Sequence, residues 1–241
     1  MVAQTQRGFT IIEVMLFLAI SGLLFAMLMI GVNNGIAQQR YLDSVRSYKA
    51  FLQDQYSETL NTRNSRSNSL DCTATGVVDN GADSTPGTNA NCVILGRVIK
   101  ITPDGQKVTV DNVIGHTTAD RSDDLETYNP QAMGQEETWD MDWGSQLKLD
   151  DTQGFGTNTQ PMILIIRSPA SGLVRVFVAS SNVDLKDMVS SDNAATYTTS
   201  KLCHYIDGES GSLPKQWVAV DPKIASADGV STSETKTAGC L

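Results

Sequence analysis

A single carboxylate constrains this chain more than any other residue. Glu13 stands directly ahead of 26 consecutive uncharged residues, Val14 to Gln39, and the first 17 of these, Val14 to Ile30, are almost all apolar. From Phe9 to Ile30 there are 22 residues, about 33 Å of helix at 1.5 Å each, enough to cross a hydrocarbon core. An acidic side chain in such a run is costly, roughly 2.5–3.5 kcal/mol for Asp at mid-helix on insertion scales. A charge retained there calls for a partner. A plain single-span anchor gives Glu13 no role. A secretory signal peptide cut near Gly35-Ile36-Ala37 fits worse, because its apolar region is usually about 7–15 residues long and carries no acid.

Beyond Arg40 the apolar residues continue at helical spacing. Tyr41, Val45, Tyr48, Leu52, Tyr56 and Leu60 follow one another at steps of three or four, with Asp43, Arg46, Lys49, Asp54 and Glu58 on other faces. No Pro or Gly interrupts Ile36 to Leu60. This pattern predicts a half-buried amphipathic helix continuing the apolar one, a single rod from about Phe9 to about Leu60. Its weak point is Gly31-Val32-Asn33-Asn34-Gly35, where each Gly disfavours helix by up to about 1 kcal/mol relative to Ala. The same glycines also form a GxxxG helix-contact pattern and fall near a membrane exit.

At 241 residues the chain has room for this rod plus one soluble domain, or two small ones. The excess of 27 acids over 18 basic residues argues against nucleic-acid binding by general electrostatics, which relies on clustered Lys and Arg. Cys72, Cys92, Cys203 and Cys240 are an even number without a CxxC pair, favouring disulfides in an oxidising compartment over a metal site.

After Leu60, Asn61 to Ser69 reads as a loop. Cys72 and Cys92 flank a Gly- and Pro-containing segment, and closing it contributes about 3 kcal/mol in the chain-entropy model. Val93 to Ile101, the turn Pro103-Asp104-Gly105-Gln106 and Lys107 to Val110 predict a hairpin. Met162 to Arg167, the turn Ser168 to Gly172 and Leu173 to Ala179 predict a second, and Gln216 to Val220 a fifth strand. An antiparallel sheet of about five strands must cover its apolar face, and the amphipathic half of the rod is the available cover. The fold class is therefore α+β.

Residues 120–142 carry eight acids against Arg121, without the spacing of an EF-hand. They read as a solvated acidic loop, with Trp139 and Trp143 as core aromatics. No cofactor is expected, calcium on loop carboxylates being the remaining alternative. The histidines are His116 and His204. Cys203 and His204 are adjacent, so in a strand they face opposite sides and cannot form a dyad. GxSxG, HExxH and P-loop patterns are absent, and no catalytic residue is assigned.

Gln6-Arg7-Gly8-Phe9-Thr10-Ile11-Ile12-Glu13-Val14 resembles the processing site of type IV pilins and pseudopilins. In that family a Gly is cleaved from an aromatic residue, and Glu is the fifth residue of the mature chain. The resemblance implies a leader at 1–8, cleavage between Gly8 and Phe9 by a membrane aspartyl prepilin peptidase, and N-methylation of Phe9. It further divides the chain into an assembly half of the helix at 9–32, an amphipathic half at 33–62 and an extracytoplasmic head at 63–241. Glu13 of one subunit would neutralise the N-terminal ammonium of a neighbour, setting axial register in a homopolymer or mixed filament. A cytoplasmic ATPase and a platform protein would drive assembly from the membrane. The positive-inside rule, with Arg7 on one side and Arg40, Arg46 and Lys49 on the other, mildly favours the opposite topology; the motif and the cysteines place the head outside. Where many pilins carry a helix-breaking Pro this chain has Ile30, leaving Gly31 and Gly35 as the candidate hinge. The family's habit of stapling a C-terminal segment suggests the sequential pairs Cys72–Cys92 and Cys203–Cys240 among three connectivities. A major pilin, a minor pilin, a type II secretion pseudopilin and a tethered binding domain that never polymerises all remain open.

Overall fold

The computed structural model describes residues 10–61, 70–73, 76–79, 91–117, 122–149, 159–208 and 213–241. Its spine is α1, a 50-residue helix spanning Ile11–Leu60, about 75 Å long at 1.5 Å per residue. The helix runs unbroken through Gly31–Gly35. Of the expected stripe, Tyr41, Val45, Tyr48, Leu52 and Tyr56 are buried, whereas Leu60, the last residue of the helix, is 51% exposed although Thr59 beside it is buried.

The head contains β1 (Leu70–Thr73), β2 (Gly76–Asp79), β3 (Cys92–Ile101), β4 (Lys107–His116), β5 (Gln131–Ala132) and β6 (Glu137–Asp140). These are followed by β7 (Gln146–Lys148), β8 (Met162–Arg167) and β9 (Val174–Ala179), then the short helices α2 (Leu185–Val189) and α3 (Ala194–Thr199). The chain closes with β10 (Leu202–Asp207), β11 (Gln216–Val220) and β12 (Val230–Ser233). Every pairing between these strands is antiparallel.

The long N-terminal helix with antiparallel sheets gives the α+β layout of the pilin fold. All five expected strands are present, but they are divided between two sheets. Both predicted hairpins, β3–β4 and β8–β9, lie in a six-stranded sheet of order β5-β4-β3-β8-β9, with β6 also paired to β4. The fifth, β11, belongs to a four-stranded sheet of order β12-β11-β10-β7, and β1–β2 form a separate ribbon.

Two cores explain this division. The buried face of α1 meets Ile99, Ile101, Val108, Val110, Ile163 and Val176 of the larger sheet and Leu202, Ile206, Val218 and Val220 of the smaller. One helix therefore covers both sheets. On the larger sheet's other face, Leu95, Val98, Leu164, Ile166 and Phe177 pack under Leu185, Met188 and Val189 of α2 and under Leu125 and Tyr128. That double cover is why Met162–Ile166 is buried at every position instead of alternating, as strands covered on both faces are. The sheets are tied at the β3–β4 turn. Gly105 there has φ +68°, and a Cβ on it would lie 2.1 Å from the Leu147 carbonyl oxygen. Its own carbonyl accepts from the Leu147 N–H at 2.8 Å. Only glycine allows both the left-handed conformation and this approach.

Candidate functional site

The candidate assembly surface begins at the N-terminus of α1. Thr10 is the N-cap, extended at φ −76° and ψ 150°. Its Oγ1 accepts from the Glu13 N–H at 3.3 Å, and its own N–H donates to Glu13 Oε2 at 3.3 Å. This is a reciprocal capping box, which satisfies two of the donors left unpaired at a helix start. A carboxylate in the first turn also lies where the helix dipole favours negative charge. The Thr10 hydroxyl donates to the same Oε2 at 3.3 Å. The box holds Glu13 in one place and leaves it exposed, and among the described residues no cation pairs with it. Gly8 and Phe9, the expected cleavage pair and methylation site, lie outside the described residues.

From Ile11 to Val32 the large apolar side chains described are exposed. α1 is long and apolar enough to cross a membrane. Its interior polar group is satisfied locally: Ser21 Oγ donates to the Phe17 carbonyl at 2.5 Å, as a polar side chain in lipid must be. A Cβ built on Gly22, Gly31 or Gly35 would meet nothing within 4 Å. Among the described residues no contact requires glycine at these positions.

The head grips α1 from Tyr41 onward. The Tyr41 hydroxyl donates to the Ile206 carbonyl at 3.1 Å and accepts from the Gln216 N–H at 2.7 Å, and burial pushes its pKa up. Further along, Arg97 donates to Gln55 Oε1 at 2.6 Å. His204 of β10 sits edge-on to Tyr48 with ring centroids 5.3 Å apart. It is fully buried, neither ring nitrogen has a hydrogen-bond partner among the described residues, and desolvation lowers its pKa to about 3. The Tyr48 and Tyr56 hydroxyls are likewise buried without partners among those residues, and desolvation raises both pKa values.

Cys72 is bonded to Cys92 and Cys203 to Cys240, with Cα separations of 5.1 and 5.4 Å. The second bridge holds the C-terminus to β10, beside a Leu241 N–H to Lys201 carbonyl bond of 2.7 Å. Cys203 is thus oxidised while His204 faces α1, and the two make no dyad.

The acidic segment is more folded than a solvated loop. Asp120 and Arg121 lie outside the described residues, but Leu125, Tyr128, Met133 and Met141 are buried. Asp123 Oδ1 accepts from the Ser168 and Ser171 hydroxyls at 2.5 Å each, which lowers its pKa. Asp124 caps the turn Leu125–Tyr128, Glu136 pairs with Lys100 at 3.7 Å and Asp140 with Lys107 at 3.4 Å. Asp123 and Asp124 thus hold turns, and Glu136 and Asp140 pair with lysines of β3 and β4. Among the described residues no three His, Cys, Asp or Glu side chains are grouped to hold a metal. Trp139 does reach the core, stacked on Phe51 with centroids 4.7 Å apart. Trp143 does not: it is 61% exposed, in the left-handed region at φ 57°. Asp142–Gly144 is a tight turn against α1, and its geometry turns that ring outward.

Comparison with known proteins places the N-terminal stretch in a described family. Residues 4–29 match the family described as a prokaryotic N-terminal methylation motif, the class III signal of type IV pilins and pseudopilins. The matched stretch spans Gly8, Phe9, Glu13 and most of the bare part of α1, and none of the head. Neither the curated proteins nor the solved structures contain a match to the chain.

Proposed function

We propose that this chain, which carries the class III signal of pilin-like precursors, is a structural subunit of a type IV pilus or a related filament. Cleavage between Gly8 and Phe9 by a prepilin peptidase, with N-methylation of Phe9, turns Phe9 into a new ammonium terminus. Glu13 then lies on the first turn of α1, four residues from that terminus, and meets the ammonium of a neighbouring subunit. The observation that carries this reading is the pairing of an unneutralised carboxylate with a bare helix. Among the described residues Glu13 has no cation, and the apolar side chains behind it have no cover. Opposite charges in a low-dielectric bundle attract strongly, while either alone is penalised. Bare apolar surface of this extent needs lipid before assembly and other α1 helices after it. The head and its disulfides face the outside.

Fractionation tests the reading. A filament subunit is recovered, leader removed, in fibres sheared from the cell surface. Protein found only in membranes with its leader intact favours a tethered binding domain that does not polymerise. Recovery of trimmed protein in membranes and secretion complexes, without surface fibres, favours a pseudopilin.

A further inference from the structure

The head carries an exposed tryptophan at the level where the bare part of α1 ends. Trp143 lies in the turn Asp142–Gly144, at φ 57° and ψ 27°, and Gly144 follows at φ +69°. The Arg40 guanidinium sits 5.0 Å from the centre of its ring. Ala37, Arg40, Tyr41, Trp143 and Ser145 line a cleft of about 220 Å³ beside it. Tyr41 is the first fully buried residue of α1, whereas Ile36 is still exposed. Trp143 therefore belongs to the rim of the head nearest the bare helix.

Axial distance gives that rim a partner. Arg40 is the next charge after Glu13, 27 residues on, which is about 40 Å of helix. A bilayer is about 30 Å thick in hydrocarbon and about 40–45 Å with its headgroups. With Glu13 at one headgroup layer, Arg40 and the ring over it reach the other. Trp is enriched at that level because its ring is apolar while its N–H hydrogen-bonds, and Arg reaches lipid phosphates there. The surrounding charges are of both signs. Asp43 pairs with Arg46 at 4.0 Å and Asp207 with Lys148, and the remaining described charges near Arg40 are Asp142 and Lys215, the latter over the Tyr205 ring. That suits a zwitterionic surface better than a strongly charged one.

We infer that Trp143 and Arg40 form a lipid-docking edge that seats the head in the headgroup layer of the leaflet on its own side while α1 is in the membrane. This rests on the reading of α1 as membrane-spanning. The edge would fix the tilt of the head against the bilayer, and it would be released when the subunit leaves for the filament.

The test uses the full chain in phosphatidylcholine vesicles. Vesicle flotation reports insertion. Tryptophan quenching by lipids brominated at different acyl depths, and by aqueous iodide, reports the place of Trp143. Its signal is taken as the difference between the native chain and Trp143→Phe, which leaves Trp139 and Trp217 in place. The expected result is a Trp143 signal quenched most by bromines nearest the headgroup and protected several-fold from iodide, with Arg40→Gln at least halving the bromine quenching. A chain that floats with Trp143 open to iodide and untouched by brominated lipid overturns the docking edge alone. Protection that appears only at high chain density, without bromine quenching, overturns it in favour of a second copy of the chain. Failure to float removes the membrane-spanning reading and the docking edge together.

Discussion

The two halves of α1 are one unbroken helix with opposite relations to the rest of the subunit. From Ile11 to Val32 it is apolar on all sides and bare. From Tyr41 to Tyr56 it is apolar on one stripe, and that stripe is buried under two sheets. The partner of the second half is encoded in the same chain, and burying each large side chain there contributes roughly 1.5–3 kcal/mol. The first half has no cover among the described residues. Side-chain pattern reveals the distinction: a helix hydrophobic all round is made for lipid or a bundle, and a striped one for its own domain.

The largest expected effect comes from breaking the first half. Glu13→Gln keeps the size and hydrogen-bonding capacity of the side chain and removes its charge. The variant is expected to insert and be processed normally, with sheared surface fibre reduced at least about tenfold, the order expected when a buried charge loses its partner. Immunoblots of sheared and membrane fractions check this, and normal fibre yield would count against charge pairing.

The second half breaks by acid. His204 is buried neutral with its pKa lowered to about 3, while the unfolded chain titrates near the usual value of about 6.5. Between those values the unfolded state binds a proton that the folded state does not, so stability falls as pH drops from about 6.5 toward 3 and is insensitive to this group above it. The loss across the window is on the order of 5 kcal/mol. His204→Leu is expected to flatten the decline in urea midpoints of the full chain in detergent. An unchanged pH profile would show that His204 is not the group responsible.

Equivalent truncations sharpen the contrast. Tyr48→Ala removes a fully buried ring from under the sheets and is expected to cost about 3–5 kcal/mol. Phe25→Ala removes a ring exposed within the subunit and is expected to change the urea midpoint of the head by less than about 0.5 kcal/mol. The same denaturation series measures both.

The smallest effect concerns the junction of the halves. Gly31→Ala and Gly35→Ala meet no other part of the described structure within 4 Å and are expected to stabilise the isolated helix by about 1 kcal/mol each. If helix melting or close helix contact at this point serves assembly, fibre yield falls while circular dichroism shows helix content preserved or raised. Unchanged yield would remove both roles.

The features legible in the sequence were local or periodic. The stripe from Tyr41 to Tyr56, the turn at Asp104-Gly105 and the β8–β9 hairpin each carry their signal within about a dozen residues. The second sheet was not legible. Its β7 is three residues long and lies far from β10 in sequence, so although β10 and β11 are near neighbours, nothing local joins β7 to them. Nor was the exposure of Trp143, because a turn next to an acidic segment gives no local sign of which way an aromatic ring will face. At the assembly site the position of Glu13 was plain from its spacing. Its capping box with Thr10 follows the Thr-x-x-Glu pattern, a signal present in the sequence that the apolar run behind it overshadowed.

Processing at Gly8–Phe9 is measured most directly by mass spectrometry of the mature N-terminus in sheared surface material. The expected chain begins at Phe9 with one added methyl group. A chain that begins at Met1, or one cut near Ala37, would contradict this processing.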